Sequence, residues 1–341
     1  MHQTQGFTRR GFLVTSGGML AAAAVPGWAD VAAPVGPVRD LAPDIATLRR
    51  AIVDSPLAVA LHRAQVFTNV FRENEDRPWI VRKAMALREY FRTVPLYLRE
   101  HDSLAGSISE TPGAMPVFVE LGIGENNIYT GERPDRKGYL QGRVPLEIRD
   151  YWKNRNIWGL YRTEIRGEKP YARADEVPQQ LGYKFISNQG HLSPSYGELL
   201  RIGIGGLLGK VRQRQQGETD AEKSAFLTAA EYSLSGLSDW IGRYAEFLAA
   251  EAARNAPPAR AAELNEMARI AGKVAVQPPG TFREALQLIW FVHQAIHIEG
   301  HGYSCTPDRI DQLLWPFYEA DRAAGRIDEV TAVGTVLDCG T

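Results

Sequence analysis

Three of the chain's seven histidines, His293, His297 and His301, stand four residues apart, with Glu299 among them and Ser304, Cys305 and Asp308 close behind. On a continuous helix that spacing stacks side chains on one face. Neutral imidazole nitrogens gathered there suit zinc or copper. Gly300 is the residue type that ends helices, and would leave His301 beyond the last turn. The same imidazoles can instead serve as polar groups at a buried helix end, hydrogen-bonded to backbone. Spacing alone leaves both readings open, and no cofactor motif is evident elsewhere.

The segment that must position these groups predicts a helix. Thr281 and Glu284 have capping-box spacing, and an apolar run follows through Ile298. Upstream, Phe226, Ala230, Leu234, Leu237, Ile241, Tyr244 and Leu248 recur at three or four, the pattern of one face of a long amphipathic helix over 225–251. Pro257-Pro258 separates it from a second helix over 261–274. Alternating patterns are sparse, with short extended pieces expected in 106–119 and 182–187. The fold class expected is mainly α with a few strands. Tyr151 and Trp152, near Trp158 and Tyr161, read as core packing, and Arg309 with Asp311 as a structural ion pair.

The two ends carry different signals. Thr8-Arg9-Arg10-Gly11-Phe12-Leu13 fits the twin-arginine export pattern, and a weakly apolar run from Val14 to Val25 and small residues at Gly27 and Ala29 follow it. The expected layout is a signal peptide over 1–29, a Pro- and Ala-rich linker over 30–44 and one domain over 45–341, placed in the periplasm. That apolar run is too short to cross a bilayer. At the other end Val330, Val333, Val336 and Leu337 keep helical spacing, which predicts a helix that needs a partner surface and a fold that continues after Thr341. With 39 basic and 40 acidic residues, the net charge of −1 gives no electrostatic case for nucleic acid or an anionic membrane.

Four ordered blocks resemble the glycyl radical enzymes of the pyruvate formate-lyase-like family, in the branch of dehydratases and lyases. They are Val81-Arg82-Lys83-Ala84-Met85 with Val94-Pro95-Leu96-Tyr97, then Gly190-His191 with Pro194-Ser195-Tyr196 and Leu199 to Leu207. Ala262-Glu263-Leu264-Asn265-Glu266 comes third, and Pro279 to Tyr318 last. The resemblance implies the N-terminal half of that family's α/β barrel. It implies a pocket for a small-molecule substrate in which His191, Tyr303 and Ser304 face the ligand. His191 can also be read as a turn residue ahead of Pro194. Where the family pattern has Asn and Gly, this chain has His301 and Asp308.

The resemblance also implies a thiyl cysteine in a Gly-Cys pair and a radical glycine in Arg-Val-x-Gly-Tyr. Neither occurs: Cys305 follows Ser304, Cys339 follows Asp338, and Arg143-Val144 runs into Pro145. The chain is therefore expected to be inactive alone as a lyase, a truncated N-terminal half that is either severed from its second half or takes it from a separate chain. Alternatives are an exported small-molecule-binding protein without radical chemistry, and a metal protein using the three spaced histidines. An oxygen-sensitive radical also fits poorly with export.

Overall fold

The computed structural model describes residues 54–55, 58–100, 102–110, 114–122, 144–160, 192–254, 256–300 and 305–338, with Thr47 and Arg50. The chain begins with β1 (Ala58–Ala60), which pairs in parallel with β2 (Ala114–Pro116), Val59 facing Met115. Parallel neighbours need a crossover rather than a tight turn. Here it carries α1 (His62–Glu73) and α2 (Trp79–Thr93). A 3₁₀ turn at Val119–Leu121, α3 (Leu146–Trp152) and α4 (Ile157–Leu160) come next. The rest is α5 (Tyr196–Gln215), α6 (Ala221–Ala253), α7 (Pro258–Val274), α8 (Phe282–Gly300), α9 (Ile310–Ala323) and α10 (Glu329–Asp338).

The mainly helical class read from the sequence is what forms, and β2 falls inside the stretch expected to be extended. The other expected strand, the signal peptide and the linker lie outside the described residues. The long helix starts earlier than its apolar pattern, because the Asp220 side chain accepts a hydrogen bond from the Lys223 N–H at 2.9 Å and caps it. Leu237, Ile241, Tyr244 and Leu248 are buried as expected, but Phe226 is 60% exposed. The first buried position of α6 is Ala229, so the amphipathic pattern begins before the packed core does.

That core is organised around Trp240, fully buried on α6. Its ring stacks on Phe91 of α2 at 5.1 Å and meets Tyr244 and Phe291 edge-on at 5.3 and 5.5 Å. Such offset and edge-to-face pairs add to simple area burial, and this group ties α2, α6 and α8 together. Trp152 is buried too, its indole N–H donating to Thr68 Oγ1 at 2.9 Å. Its neighbour Tyr151 is only half-buried.

One connection depends on the absence of a side chain. Helix α5 is broken at Gly203, where φ is +68° and ψ 177°. The link between α7 and α8 passes through that break, and a Cβ on Gly203 would stand 2.6 Å from the Pro278 nitrogen. The Gly205 N–H then donates across to Val276 O at 2.8 Å instead of along its own helix. Gly203→Ala meets both a left-handed backbone and rigid main chain, and should destabilise by about 2 kcal/mol or more. Gly209→Ala, open within 4 Å, should stabilise slightly. Urea unfolding of the two variants tests this contrast.

Candidate functional site

Helix α8 carries the histidines, and its two ends are held by opposite charges. At the N-terminus the Phe282 N–H donates to Asp321 Oδ2 of α9 at 2.8 Å, and the Glu284 N–H to Thr281 Oγ1 at 3.3 Å. The second half of a capping box would return the Glu284 carboxylate to the Thr281 N–H. It accepts instead from the Gly280 N–H at 2.7 Å, Lys273 at 2.5 Å and Arg269 at 3.1 Å. Burial alone would raise this carboxyl's pKa, but the Lys273 hydrogen bond, the Gly280 N–H and Arg269 outweigh it and hold the group below the usual carboxylate range.

At the C-terminus of α8, Arg63 of α1 is fully buried with all five donors used. Nε donates to Ile298 O at 2.8 Å and Nη2 to Glu299 O at 3.2 Å, the carbonyls left open where a helix ends. Nη1 donates to Val117 O at 3.1 Å and Glu120 Oε2 at 2.9 Å, and Nη2 reaches Glu120 Oε1 at 2.6 Å. The guanidinium lies between the rings of Phe67 and Phe118, 3.8 and 4.2 Å from their centroids. Lys83 of α2 pairs with the Glu299 carboxylate. Acids at one end and bases at the other both oppose the helix dipole.

Between these anchors His293 and His297 come together, Nε2 to Nε2 at 3.1 Å, and Tyr196 Oη of α5 lies 3.5 Å from His293 Nδ1. Tyr196, His293 and His297 thus form one chain of polar contacts, in which each imidazole can donate or accept according to its tautomer. Burial, then the neighbouring His297, pushes the His293 pKa down to about 4. Burial also raises the Tyr196 phenol, with Cys305 adding to it. Cys305 is a free, half-buried thiol, its pKa raised by burial. Among the described residues no three His, Cys, Asp or Glu side chains converge as a metal site requires. The third spaced histidine, His301, lies outside those residues, as do His191, Tyr303 and Ser304.

What the structure does place is their chain neighbours. Leu192 and Cys305 form a parallel β-bridge, in which Thr306 N–H donates to Leu192 O at 3.0 Å. The segments that follow His191 and Ser304 are thus side by side. Arg309 and Asp311 pair at 3.2 Å, the structural ion pair the sequence suggested.

A family model described as pyruvate formate lyase-like matches residues 40–339. The chain belongs to that family. Among curated relatives of this pyruvate formate lyase-like chain, the (2S)-3-sulfopropanediol dehydratase of Klebsiella oxytoca is 28% identical over 82% of this chain and 36% of its own length. The isethionate sulfite-lyase of Oleidesulfovibrio alaskensis is also 28% identical, over the same shares. Among solved structures, the B12-independent glycerol dehydratase of Clostridium butyricum superposes with a TM-score of 0.75 at 26% identity, covering 87% of this chain and 39% of that one. A Roseburia inulinivorans structure described for 1,2-propanediol dehydration gives 0.77, covering 87% and 37%. The chain spans little more than a third of the length of these relatives, and its mainly helical fold corresponds to part of the glycyl radical enzyme architecture.

Arg63 and Glu120 were not singled out from the sequence, though a signal existed. Arg63 stands in the apolar stripe of α1 with Val66, Phe67, Val70 and Phe71, and Glu120 is the lone charge in the run Val117 to Leu121. Removing one partner of a buried pair strands the other, so Arg63→Met should destabilise by about 3–5 kcal/mol in denaturant unfolding. Arg63→Lys should recover little of this, because an ammonium cannot span five acceptors. A second outcome concerns pH. His293 stays neutral in the fold down to about 4, whereas an unfolded histidine binds a proton near 6.5. Its contribution is complete above pH 6.5 and declines as pH falls toward 4. Melting temperature should drop between pH 7.5 and 5, less steeply in His293→Gln, with His62, also lowered by burial, leaving a residual slope.

Proposed function

We propose that this chain forms the N-terminal portion of a glycyl radical barrel of the dehydratase or lyase type. It binds a small hydroxylated molecule through His191, Tyr303 and Ser304, and works with a radical cysteine and radical glycine whose motifs these 341 residues do not contain. The observation that carries the reading is the Leu192–Cys305 bridge, which joins the segments next to His191 and Ser304. It is supported by relatives named for short, hydroxyl-bearing compounds: a sulfopropanediol, isethionate and glycerol. His191 would hydrogen-bond a substrate hydroxyl or carry a proton, with Tyr303 and Ser304 completing its recognition. His293 and His297, which Tyr196 of α5 meets, lie on α8, the helix that precedes Tyr303 in the chain.

On this reading the 341-residue chain alone is inactive as a lyase, since neither Gly-Cys nor Arg-Val-x-Gly-Tyr occurs in it. Anaerobic treatment with an iron–sulfur activating enzyme should give no glycyl radical resonance by electron paramagnetic resonance, and a doublet from this chain would overturn the assignment. Glycerol, 1,2-propanediol or isethionate should raise its melting temperature, an effect lost in His191→Ala and Ser304→Ala. We also propose twin-arginine export to the periplasm, supported by Thr8 to Leu13. Replacing Arg9 and Arg10 by Lys should then leave the protein in the cytoplasmic fraction.

A further inference from the structure

A second cluster, apart from the residues nominated for the pocket, lies where the end of α1, the start of α2 and α3 meet. Phe71 is its hub: Trp79 packs on it edge-on at 5.9 Å, Trp152 at 4.8 Å, and the Arg82 guanidinium lies 5.0 Å from its centroid. Arg72 and Arg155 lie over the ring of Tyr151, at 4.9 and 4.7 Å. Arg72 and Arg155 each make one hydrogen bond to a backbone carbonyl, to Glu147 O and Tyr151 O. Among the described residues none of Arg72, Arg82 and Arg155 forms an ion pair.

Three polar atoms in this cluster are buried without a partner: Trp79 Nε1, Arg82 Nε and Tyr151 Oη. Buried donors are nearly always satisfied, so each of the three calls for an acceptor. All three can donate: burial, then Glu75, raises the Tyr151 pKa against the pull of Arg155, Arg82 and Arg72, so the phenol keeps its proton. Glu75 is the one carboxylate among those four charged neighbours. Helix α2 starts here with Trp79, with no side-chain cap and no acidic residue in its first turn to offset the positive end of its dipole.

We propose that Arg72, Arg82 and Arg155, with Trp79 and Tyr151, bind a small tetrahedral oxyanion of the phosphate or sulfate type. Guanidinium groups recognise such ions through charge-assisted, forked hydrogen bonds. The indole, the phenol and the helix start supply donors of the kind that surround anions at helix N-termini. A single water could satisfy one orphaned donor, but it does not balance the charge of three guanidiniums that have no ion-pair partner among the described residues.

The test is a titration of the full ¹⁵N-labelled chain with inorganic phosphate at constant ionic strength, balanced with chloride. The readout is the indole N–H resonance of Trp79, assigned with Trp79→Phe. A saturable shift with phosphate, absent with chloride, is expected. Arg82→Gln should weaken half-saturation about tenfold or more, the loss of one charge-assisted contact. Arg72→Gln and Arg155→Gln alter exposed side chains and keep the test open should Arg82→Gln fold poorly. No saturable shift in the unaltered chain, or identical curves in the variants, would overturn the proposal and leave water as the occupant.

Discussion

The structure turns on a single buried cation. Arg63 sits without solvent between two phenyl rings, and its five N–H groups hold a carboxylate from the 3₁₀ turn, a carbonyl beside β2 and two carbonyls at the end of α8. A guanidinium can be buried only if its charge and every donor are met. Helix α1, the strand segment and α8 must therefore register against one another within hydrogen-bond tolerance. The carbonyls of Ile298 and Glu299, a few residues ahead of Tyr303 and Ser304 in the sequence, are fixed by this one side chain. Lys83 on Glu299 and Asp321 on Phe282 complete the restraint of the helix.

The apolar core supports this arrangement without specifying it. Trp240, Phe91, Tyr244 and Phe291 fill the space between α2, α6 and α8, and the Gly203 break admits the chain that runs from α7 into α8. Buried side chains of other shapes could fill much the same volume. Few could direct α8 so that His293 meets Tyr196 of α5. The loop over 102–110 is tied down in the same way, with Gln287 exchanging two hydrogen bonds with the Ala105 backbone at 2.8 and 2.9 Å.

A parallel bridge joins two segments far apart in sequence, and Cys305 of that bridge neighbours Tyr196, which meets His293 and through it His297. The two imidazoles face each other, and the third of the spaced set, His301, follows Gly300, where α8 ends, and lies outside the described residues.

By itself the sequence determined the element types, the family and the polarity of the helix faces, because periodicity and local caps act over a few residues. Leu237, Ile241, Tyr244 and Leu248 could be read as one buried face, and Gly300 as a helix end. Only tertiary structure decided which polar groups would be buried together. Arg63 reaches carbonyls more than two hundred positions away, the Glu284 carboxylate turns from the cap expected of it to Lys273 and Arg269, and Leu192 meets Cys305 across the fold. No local pattern encodes such contacts: a buried charge takes whichever acceptors the packed helices bring within reach, and that choice exists only once the chain has folded.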